Sequence, residues 1–419
     1  MIYNPASSSP RRFATGVLLA FVTCSAFAQH RPRVKLGIDV LLDDHFAPLR
    51  GKRVGLITNP TGVAGDLRST IDILHRADSV DLVALFGPEH GVRGETPAGA
   101  KIDDARDPAT GLRVFSLYGK TRKPTQAMLA NVDVLVFDIQ DIGSRSYTYI
   151  STMAAAMSAA AEFHKQFVVL DRPNPLGGVR VEGRPLNLKF KSFVGYLPIP
   201  YVHGLTVGEL ARMINREGWL GEGRRCELTV VPMKAWTREM LWQDTGLFWI
   251  PTSPHVPDAD TPLYYAATGI MGELQVISEG VGTPQPFELC GRPGIDPRKL
   301  AAELNARGLA GVTFRPTFFQ PFYTRLAGRK CGGVHILFSD PRGAALTPIQ
   351  FHVMDAVRRL YPQTRLFGGK RDASFDKVCG TDRVREMFQQ GRPLDEILAY
   401  WSDGVAGFRQ RRKPYLLYK

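Results

Sequence analysis

The sequence predicts an α/β protein in which a mostly parallel sheet, covered by helices, is followed by a smaller α+β domain. Short continuous apolar runs alternate with helical patterns through the first half of the chain, as is typical of parallel strands buried on both faces. Beyond the proline-rich stretch "IPTSPHVPDADTPL", residues 250–263, the pattern becomes mixed. We therefore predict a first domain over residues 33–262 and a second over residues 263–419.

The first domain contains five apolar runs that we predict to be strands, at residues 53–58, 80–86, 133–137, 167–170 and 226–232. A helix is predicted over residues 147–164, which are rich in Ala and Met and contain neither Pro nor Gly. Thr206 and Glu209 have the spacing of a capping box, which indicates another helix that ends near residue 219. This alternation of strand and helix favours a parallel sheet.

The second domain has a mixed pattern of short elements. We predict a helix near residues 297–306, extended runs at 312–319 and 333–338, and two short helices between 382 and 401. Thr347 and Pro348 indicate the start of one more helix. The final stretch "RQRRKPYLLYK" is most simply a solvated basic end.

The N-terminus has the pattern of a cleavable secretory signal. Arg11 and Arg12 precede an apolar stretch from Phe13 to Phe27, and "AFA" at residues 26–28 is a small-residue cleavage site. The apolar stretch is short for a membrane span, and no other run in the chain is long enough. We therefore expect residues 1–28 to be removed, the protein to be exported to the periplasm or beyond, and no stable membrane insertion.

The charge of the chain favours anionic partners. The net charge is +13, and removal of residues 1–28 takes away two arginines and no acidic residue, which leaves 13 − 2 = +11. An exported protein rarely meets nucleic acid, so we expect no nucleic-acid partner. An acidic polymer of the cell envelope is the expected target.

Neither the spacing of the cysteines nor any sequence motif indicates a metal or a nucleotide cofactor. After cleavage four cysteines remain, Cys226, Cys290, Cys331 and Cys379, and their spacing fits disulfides or free buried thiols equally well. None of the spacings is typical of a metal site. No G-x-G-x-x-G follows the first strand and no Walker motif occurs, so we expect no nucleotide cofactor.

Polar clusters follow three of the predicted strands. "GPEHGVRGE" comes after the second strand, "DIQDIGSRSY" after the third and "DRPNPLGG" after the fourth. The carboxyl ends of parallel strands lie at one edge of a sheet, and ligands of open α/β sheets bind in the crevice there. We therefore expect these clusters to share a cleft.

These residues resemble a known family. "GLITNPTGV", "LFGPEHGVRGE", "DIQDIGSRSYTYISTM", "LDRPNPLGG" and "SEGVGTPQPFE" are similar to stretches of the exo-β-N-acetylmuramidases of the NamZ group, long known only as a domain of unknown function. The resemblance spans nearly the whole chain from about Val34. It implies a Rossmann-like catalytic domain, a smaller C-terminal domain, no metal or nucleotide, and release of N-acetylmuramic acid from the non-reducing ends of peptidoglycan fragments.

Glycoside cleavage needs a proton donor and usually a second carboxylate. Glu89 is the expected acid, because its neighbours Phe86 and Pro88 are apolar and partial burial favours a protonated carboxyl group. The candidates for the second carboxylate are Asp138, Asp141, Glu182 and Glu279, which the sequence does not rank. The acetamido group of the substrate is an alternative nucleophile.

N-acetylmuramic acid carries a lactyl carboxylate, and a planar arginine side chain suits its recognition. The substrate-binding candidates are His90, Arg93, Gln140, Asp141, Arg145, Tyr147, Asp171, Arg172 and Asn174. Tyr147, Tyr149 and Tyr201 suit either sugar stacking or core packing. We expect His203 and His255 to be structural or polar lining rather than catalytic.

Two other functions fit the same clusters. The first is a metal-dependent phosphoesterase with ligands among His90, Asp138, Asp141, Asp171 and His203, although no histidine pair has the H-x-x-x-H spacing. The second is a carbohydrate-binding protein without activity. Chelator-resistant turnover of a muramyl glycoside excludes the first, and any turnover excludes the second.

Overall fold

The computed structural model describes residues 33–94 and 105–419, so the predicted signal at residues 1–28 and Glu95 lie outside the described residues. The strands are β1 Arg53–Thr58, β2 Asp81–Gly87, β3 Ala105–Arg106, β4 Arg113–Ser116, β5 Val134–Asp138, β6 Gln166–Leu170, β7 Glu227–Val231, β8 Leu289–Arg292, β9 Val312–Phe319 and β10 Cys331–Phe338. The helices are α1 Gly37–Asp43, α2 Thr70–His75, α3 Tyr149–Glu162, α4 Val207–Arg216, α5 Thr261–Gly272, α6 Pro297–Asn305, α7 Pro348–Leu360, α8 Asp372–Cys379, α9 Arg383–Gln389, α10 Leu394–Ser402 and α11 Val405–Arg411.

Seven strands form one twisted sheet in the order β3-β4-β2-β1-β5-β6-β7. Every neighbouring pair is parallel except β3 and β4, which are antiparallel. The predicted α/β class and all five predicted strands of the first domain are confirmed. The edge strands β3 and β4 were not predicted, because two and four residues are too few to show a periodic pattern.

Helices cover both faces of this sheet. Along β5, Leu135 and Phe137 pack in one apolar cluster with α3 and α4, whereas Val134 and Val136 pack in another with α1 and α2. Successive side chains of a strand point to opposite faces, so a continuous apolar run is required when both faces are buried. The sheet therefore holds its loops at one rigid carboxyl edge.

The smaller sheet is antiparallel, in the order β8-β10-β9. Its cluster of buried apolar residues also contains Leu176 and Tyr201, which belong to the first half of the chain. The domain boundary that we placed after residue 262 falls inside α5, and residues 33–419 form one compact unit.

The basic C-terminal stretch is only partly the solvated end that we predicted, because Arg409, Arg411, Lys413 and Lys419 are exposed but other residues are anchored in the fold. Arg412 is buried and donates hydrogen bonds to the carbonyl oxygens of His203 and Gly204. The Tyr418 hydroxyl group donates to Oδ2 of Asp171 over 2.5 Å. Charge composition alone did not reveal these contacts, which join residues more than two hundred positions apart.

The four cysteines that follow the predicted signal, residues 226, 290, 331 and 379, are buried free thiols. Each therefore packs as a small apolar side chain. Among the described helices, none is both long enough and apolar enough to cross a membrane.

Candidate active site

Glu89 lies at the carboxyl end of β2, where the chain turns sharply. His90 has a φ of 76°, and Gly91 and Gly94 also have positive φ values, so three residues of this loop adopt the left-handed conformation. A Cβ atom at Gly94 would lie 2.6 Å from Cγ of Pro60, so a side chain there would also collide with a neighbouring loop. This turn holds the Glu89 carboxylate at the edge of the sheet, where it is partly buried.

Hydroxyl groups surround the Glu89 carboxylate. Thr148, which directly precedes α3, donates to Oε2 of Glu89 over 3.4 Å. Tyr118 follows β4, and burial together with the neighbouring Glu89 raises the pKa of its hydroxyl group to about 12. Tyr118 therefore stays protonated at neutral pH and remains a hydrogen-bond donor to the carboxylate.

Aromatic rings connect Glu89 to the second half of the chain. The ring of Tyr147 packs edge-on against Tyr149 and against Tyr265 of α5, with centroids 5.1 Å and 5.8 Å apart. Burial and the charge of Glu89 both raise the pKa of Tyr265. The pKa of His255 is lowered by burial and by His90 and raised by Glu89. Glu89 therefore acts electrostatically on two side chains that line a cavity.

That cavity has a volume of about 670 Å³, which is suited to a sugar-sized ligand. It is lined by Pro254, His255, Tyr265, Gly269, Gly272, Glu273, Gln275, Glu279, Val281, Phe287, Tyr323, Thr324 and Arg371. Glu89 is not part of this lining, but its charge acts on Tyr265 and His255, which are. The lining itself comes from residues 254–371.

Glu279 is the most deeply placed carboxyl group of the cavity. Burial raises its pKa to about 7. Gly272, the last residue of α5, makes room for it, because a Cβ atom there would lie only 2.8 Å from Cδ of Glu279. A carboxyl group with this pKa is partly protonated near neutrality and is able to donate a proton.

Arg371 and Glu273 form an ion pair on the same wall. Nη2 of Arg371 lies 2.9 Å from Oε2 of Glu273, and Nε donates to the Glu273 carbonyl oxygen over 2.9 Å. Burial raises the pKa of Glu273, and Arg371 opposes this effect. The lining therefore contains two carboxyl groups and one guanidinium group.

Several residues of this cavity have strained backbone conformations. Gln275, Phe287 and Thr324 of the lining have positive φ values although they are not glycine, as does His90, which follows Glu89. Such conformations cost of the order of 1–3 kcal/mol each and persist where the surrounding structure enforces them, often at functional sites. The strain is consistent with a site that holds its side chains in fixed positions.

Asp138 and Arg172 do not face the cavity. The Asp138 carboxylate is fully buried between the Arg172 guanidinium group and the Thr70 hydroxyl group, which lies 2.5 Å from Oδ2. Both carboxylate oxygens of Asp138 therefore have hydrogen-bond partners within the fold. This geometry argues against our expectation that Asp138 is catalytic and that Arg172 binds substrate.

Three further substrate-binding candidates also have structural partners. Asp171 accepts hydrogen bonds from Thr206, the Gly208 amide and Tyr418. Asn174 bonds to the backbone of Leu205 and Leu176. Buried Arg145 donates to four carbonyl oxygens, those of Arg184, Ile199, Val378 and Cys379. Polar composition of the loops did not distinguish these supporting side chains from ligand-binding ones.

Arg93 forms ion pairs with two aspartates. Its Nε lies 2.9 Å from Oδ1 of Asp107, and its Nη2 lies 3.1 Å from Oδ1 of Asp72. We expected Arg93 to bind a substrate carboxylate. The two aspartates favour a loop-stabilising role instead.

The remaining candidates in the loop after β5 are Gln140, Asp141 and Tyr147. Gln140 lines a separate cavity of only about 20 Å³, which holds no more than a water molecule. Asp141 is buried, accepts a hydrogen bond from the Gly143 amide, and has a pKa raised to about 7 by burial. The hydroxyl groups of Tyr147 and Thr252 lie 2.7 Å apart. Of the substrate-binding candidates, Tyr147 packs directly on Tyr265 of the cavity lining.

Glu182 lies in a different place. It lines another cavity of about 820 Å³, and its carboxylate accepts hydrogen bonds from Arg180 and from the amides of Leu346 and Thr347. These amides directly precede α7, so Glu182 caps that helix. We take the smaller cavity as the candidate active site because Glu279 lines it and the charge of Glu89 acts on two of its residues.

The phosphoesterase hypothesis required a group of metal ligands. In the described ranges, no three His, Cys, Asp or Glu side chains are placed to hold a metal ion together. His203 is buried, its Nδ1 accepts a hydrogen bond from the Leu205 amide, and burial lowers its pKa to about 3. His203 is therefore structural, whereas His255 lines the cavity.

Sequence reasoning missed Tyr118, Tyr265, Glu273 and Arg371. Tyr265 belongs to α5 and Glu273 directly follows that helix, whose start we had taken for a proline-rich linker. Arg371 directly precedes α8, which we did not predict. Neither position follows a strand of the parallel sheet, so the rule that places sites at carboxyl ends did not include them.

Comparison with known proteins agrees with this architecture. Models of the N-terminal and C-terminal parts of exo-β-N-acetylmuramidase NamZ match residues 54–260 and 263–418. Peptidoglycan β-N-acetylmuramidase NamZ of Bacillus subtilis (strain 168) is 43% identical over 414 residues, which cover 97% of this chain and 98% of the relative. Two crystal structures of DUF1343 family proteins from Bacteroides fragilis are similar, with TM-scores of 0.89 and 0.73 and identities of 49% and 34%. Each match covers 92% of this chain and 99% of the other. The chain therefore belongs to the NamZ family of exo-β-N-acetylmuramidases.

Proposed function

We propose that this protein is an exo-acting glycoside hydrolase that releases N-acetylmuramic acid from the non-reducing ends of peptidoglycan fragments. The observation that carries the proposal is a cavity of about 670 Å³ that Glu279 lines and on whose Tyr265 and His255 the charge of Glu89 acts. Most glycosidases use two carboxyl groups as their catalytic residues. The relative from Bacillus subtilis, similar over almost its whole length, is a peptidoglycan β-N-acetylmuramidase by name.

The environments of the two carboxyl groups support different roles. Burial keeps Glu279 partly protonated near neutrality, which suits the group that protonates the leaving oxygen. Glu89 accepts hydrogen bonds from hydroxyl groups, which suits a carboxylate that faces the anomeric carbon or orients the attacking group. From the sequence alone we expected Glu89 to be the acid. In this assignment Glu279 is the acid and Glu89 is the second carboxylate.

Substitution by glutamine tests the assignment, because it removes the ionisable group at nearly constant size. On a natural disaccharide, Glu89→Gln and Glu279→Gln are each expected to lower kcat by about two to four decades. On a 4-nitrophenyl muramide, whose leaving group needs little protonation, Glu279→Gln is expected to recover most of the activity and Glu89→Gln is not.

The control is Glu222→Gln, which changes an exposed glutamate far from the cavity lining and is expected to behave as wild type. The opposite pattern, with activity recovered in Glu89→Gln alone, would return the role of the acid to Glu89. Wild-type activity of both variants on the disaccharide would remove this cavity from consideration as the active site.

Export from the cytoplasm is part of the same proposal. It is supported by the basic pair at residues 11–12, the apolar stretch that follows, and the "AFA" site at residues 26–28. Peptidoglycan lies outside the cytoplasmic membrane, so an enzyme that acts on its fragments in the envelope needs such a signal. N-terminal sequencing of protein from the envelope fraction is expected to begin near Gln29. Retention of Arg11 and Arg12 would contradict export by cleavage.

A further inference from the structure

One cationic side chain lines the cavity that contains Glu279. Of the described residues in that lining, Arg371 alone is an arginine or lysine. Arg371 directly precedes α8, and its side chain is about 40% exposed. A guanidinium group at this position is within reach of a ligand that fills the cavity.

Only part of the Arg371 guanidinium group is occupied within the fold. Nε and Nη2 both bind Glu273, one through its carbonyl oxygen and the other through its carboxylate. In the described part of the chain, no hydrogen bond involves Nη1 of Arg371. The pair with Glu273 thus fixes the plane of the guanidinium group and leaves donors for another acceptor.

The charges around the cavity require such a donor if the substrate is anionic. Glu273 lines the cavity and the charge of Glu89 acts on Tyr265 of its lining, so a carboxylate on the ligand meets negative charge even while Glu279 holds a proton. An uncharged amino sugar does not meet this repulsion. The cavity therefore discriminates against the acidic sugar unless a cation pairs with the ligand carboxylate.

The arginines that follow the parallel strands have other partners. Arg172 is paired with Asp138, Arg93 is paired with Asp107 and Asp72, and the contacts of Arg145 are with carbonyl oxygens. We infer that Arg371 binds the lactyl carboxylate of N-acetylmuramic acid and thereby determines the specificity of the enzyme for the acidic sugar. This inference rests on the proposed function and assigns substrate recognition to the C-terminal half of the chain.

The test compares two substrates that differ only in this charge, 4-nitrophenyl β-N-acetylmuramide and the methyl ester of its lactyl carboxyl group. Arg371→Gln is expected to lower kcat/KM for the free acid by about ten- to a hundredfold, mostly through KM, and to leave the ester nearly unchanged. Arg371→Lys is expected to retain an intermediate preference, because it keeps the charge without the planar pair of donors.

Two further variants separate recognition from folding. Arg383→Gln is the matched control, since Arg383 is similarly exposed and pairs with a glutamate, Glu386, away from the cavity lining. The double variant Arg371→Gln with Glu273→Gln removes the carboxylate that the single variant leaves without its partner. It is expected to fold like wild type and to show the same loss of preference for the acid.

The outcomes are distinct. Equal losses on the acid and the ester in both Arg371→Gln and the double variant would overturn the inference and make Arg371 a support for Glu273. Failure of the wild-type enzyme to cleave either substrate would instead contradict the proposed function. A preference for the acid that survives in Arg371→Gln would transfer carboxylate recognition to another residue.

Discussion

Arg172 binds both oxygens of the Asp138 carboxylate, with Nε 2.6 Å from Oδ1 and Nη2 2.9 Å from Oδ2, and both side chains are almost completely buried. This pair joins the ends of β5 and β6 beneath the loops of the site. Removing one partner of a buried pair leaves an uncompensated charge. We predict that Arg172→Ala lowers the free energy of unfolding by about 3–5 kcal/mol, measured by urea denaturation. A loss below about 1 kcal/mol would show that the pair is not structural, and exposed Arg68→Ala is the control.

The pH dependence of activity should depend on Glu279. Because the pKa of its carboxyl group is about 7, the protonated fraction falls as the pH rises through 7. We predict that kcat of the wild-type enzyme on the disaccharide declines above this pH. In Glu279→Gln the residual activity on the 4-nitrophenyl substrate should lack this decline. An unchanged alkaline limb in the variant would assign the titration to another group.

Asp141 should make stability depend on pH with the opposite sign to an ordinary ion-paired aspartate. Burial raises its pKa from 3.8 to about 7, so between these values the folded state retains a proton that the unfolded state has lost. The free energy of unfolding therefore falls as the pH rises from about 4 to 7. We predict a smaller fall in Asp141→Asn, by at least about 1.4 kcal/mol, the equivalent of one pKa unit. Parallel curves for the two proteins from urea unfolding at pH 5 and 8 would contradict this prediction.

Gly272 should be required for the position of Glu279. An alanine side chain at this helical position would lie 2.8 Å from Cγ and Cδ of Glu279, so the carboxyl group must move while the helix itself is tolerant. We predict that Gly272→Ala lowers kcat by about a hundredfold at nearly constant melting temperature, since displacement of a catalytic group by about 1 Å has effects of this size. Gly407→Ala, where the space is open, is the control.

Arg93 should stabilise its loop rather than select the substrate. Since Arg93 pairs with Asp72 and Asp107, Arg93→Ala is predicted to lower kcat/KM for the muramide and for its lactyl methyl ester by the same factor. Measurement of both rates with the purified variant checks this. A loss of about tenfold or more that is confined to the free acid would restore the role that the sequence suggested for Arg93.

The sequence by itself determined the architecture and the edge of the sheet at which the polar loops gather. Apolar runs that must be buried on both faces predicted β1, β2, β5, β6 and β7, and parallel topology brings the ends of these strands together. Glu89 and Glu279 were both among the candidates. These features follow from local periodicity and from a general rule of topology, which are visible along a single chain.

Only the tertiary structure decided which polar side chains support the fold and which line the cavity. Asp138 and Arg172 are 34 residues apart in the sequence and form an ion pair. Glu273 and Arg371 are 98 residues apart and also form an ion pair. The first pair is buried and the second lines the cavity. Residue type does not distinguish the two pairs, because a carboxylate and a guanidinium group attract each other in either environment. Burial and cavity shape depend on contacts between distant segments, so the distinction exists only in the folded protein.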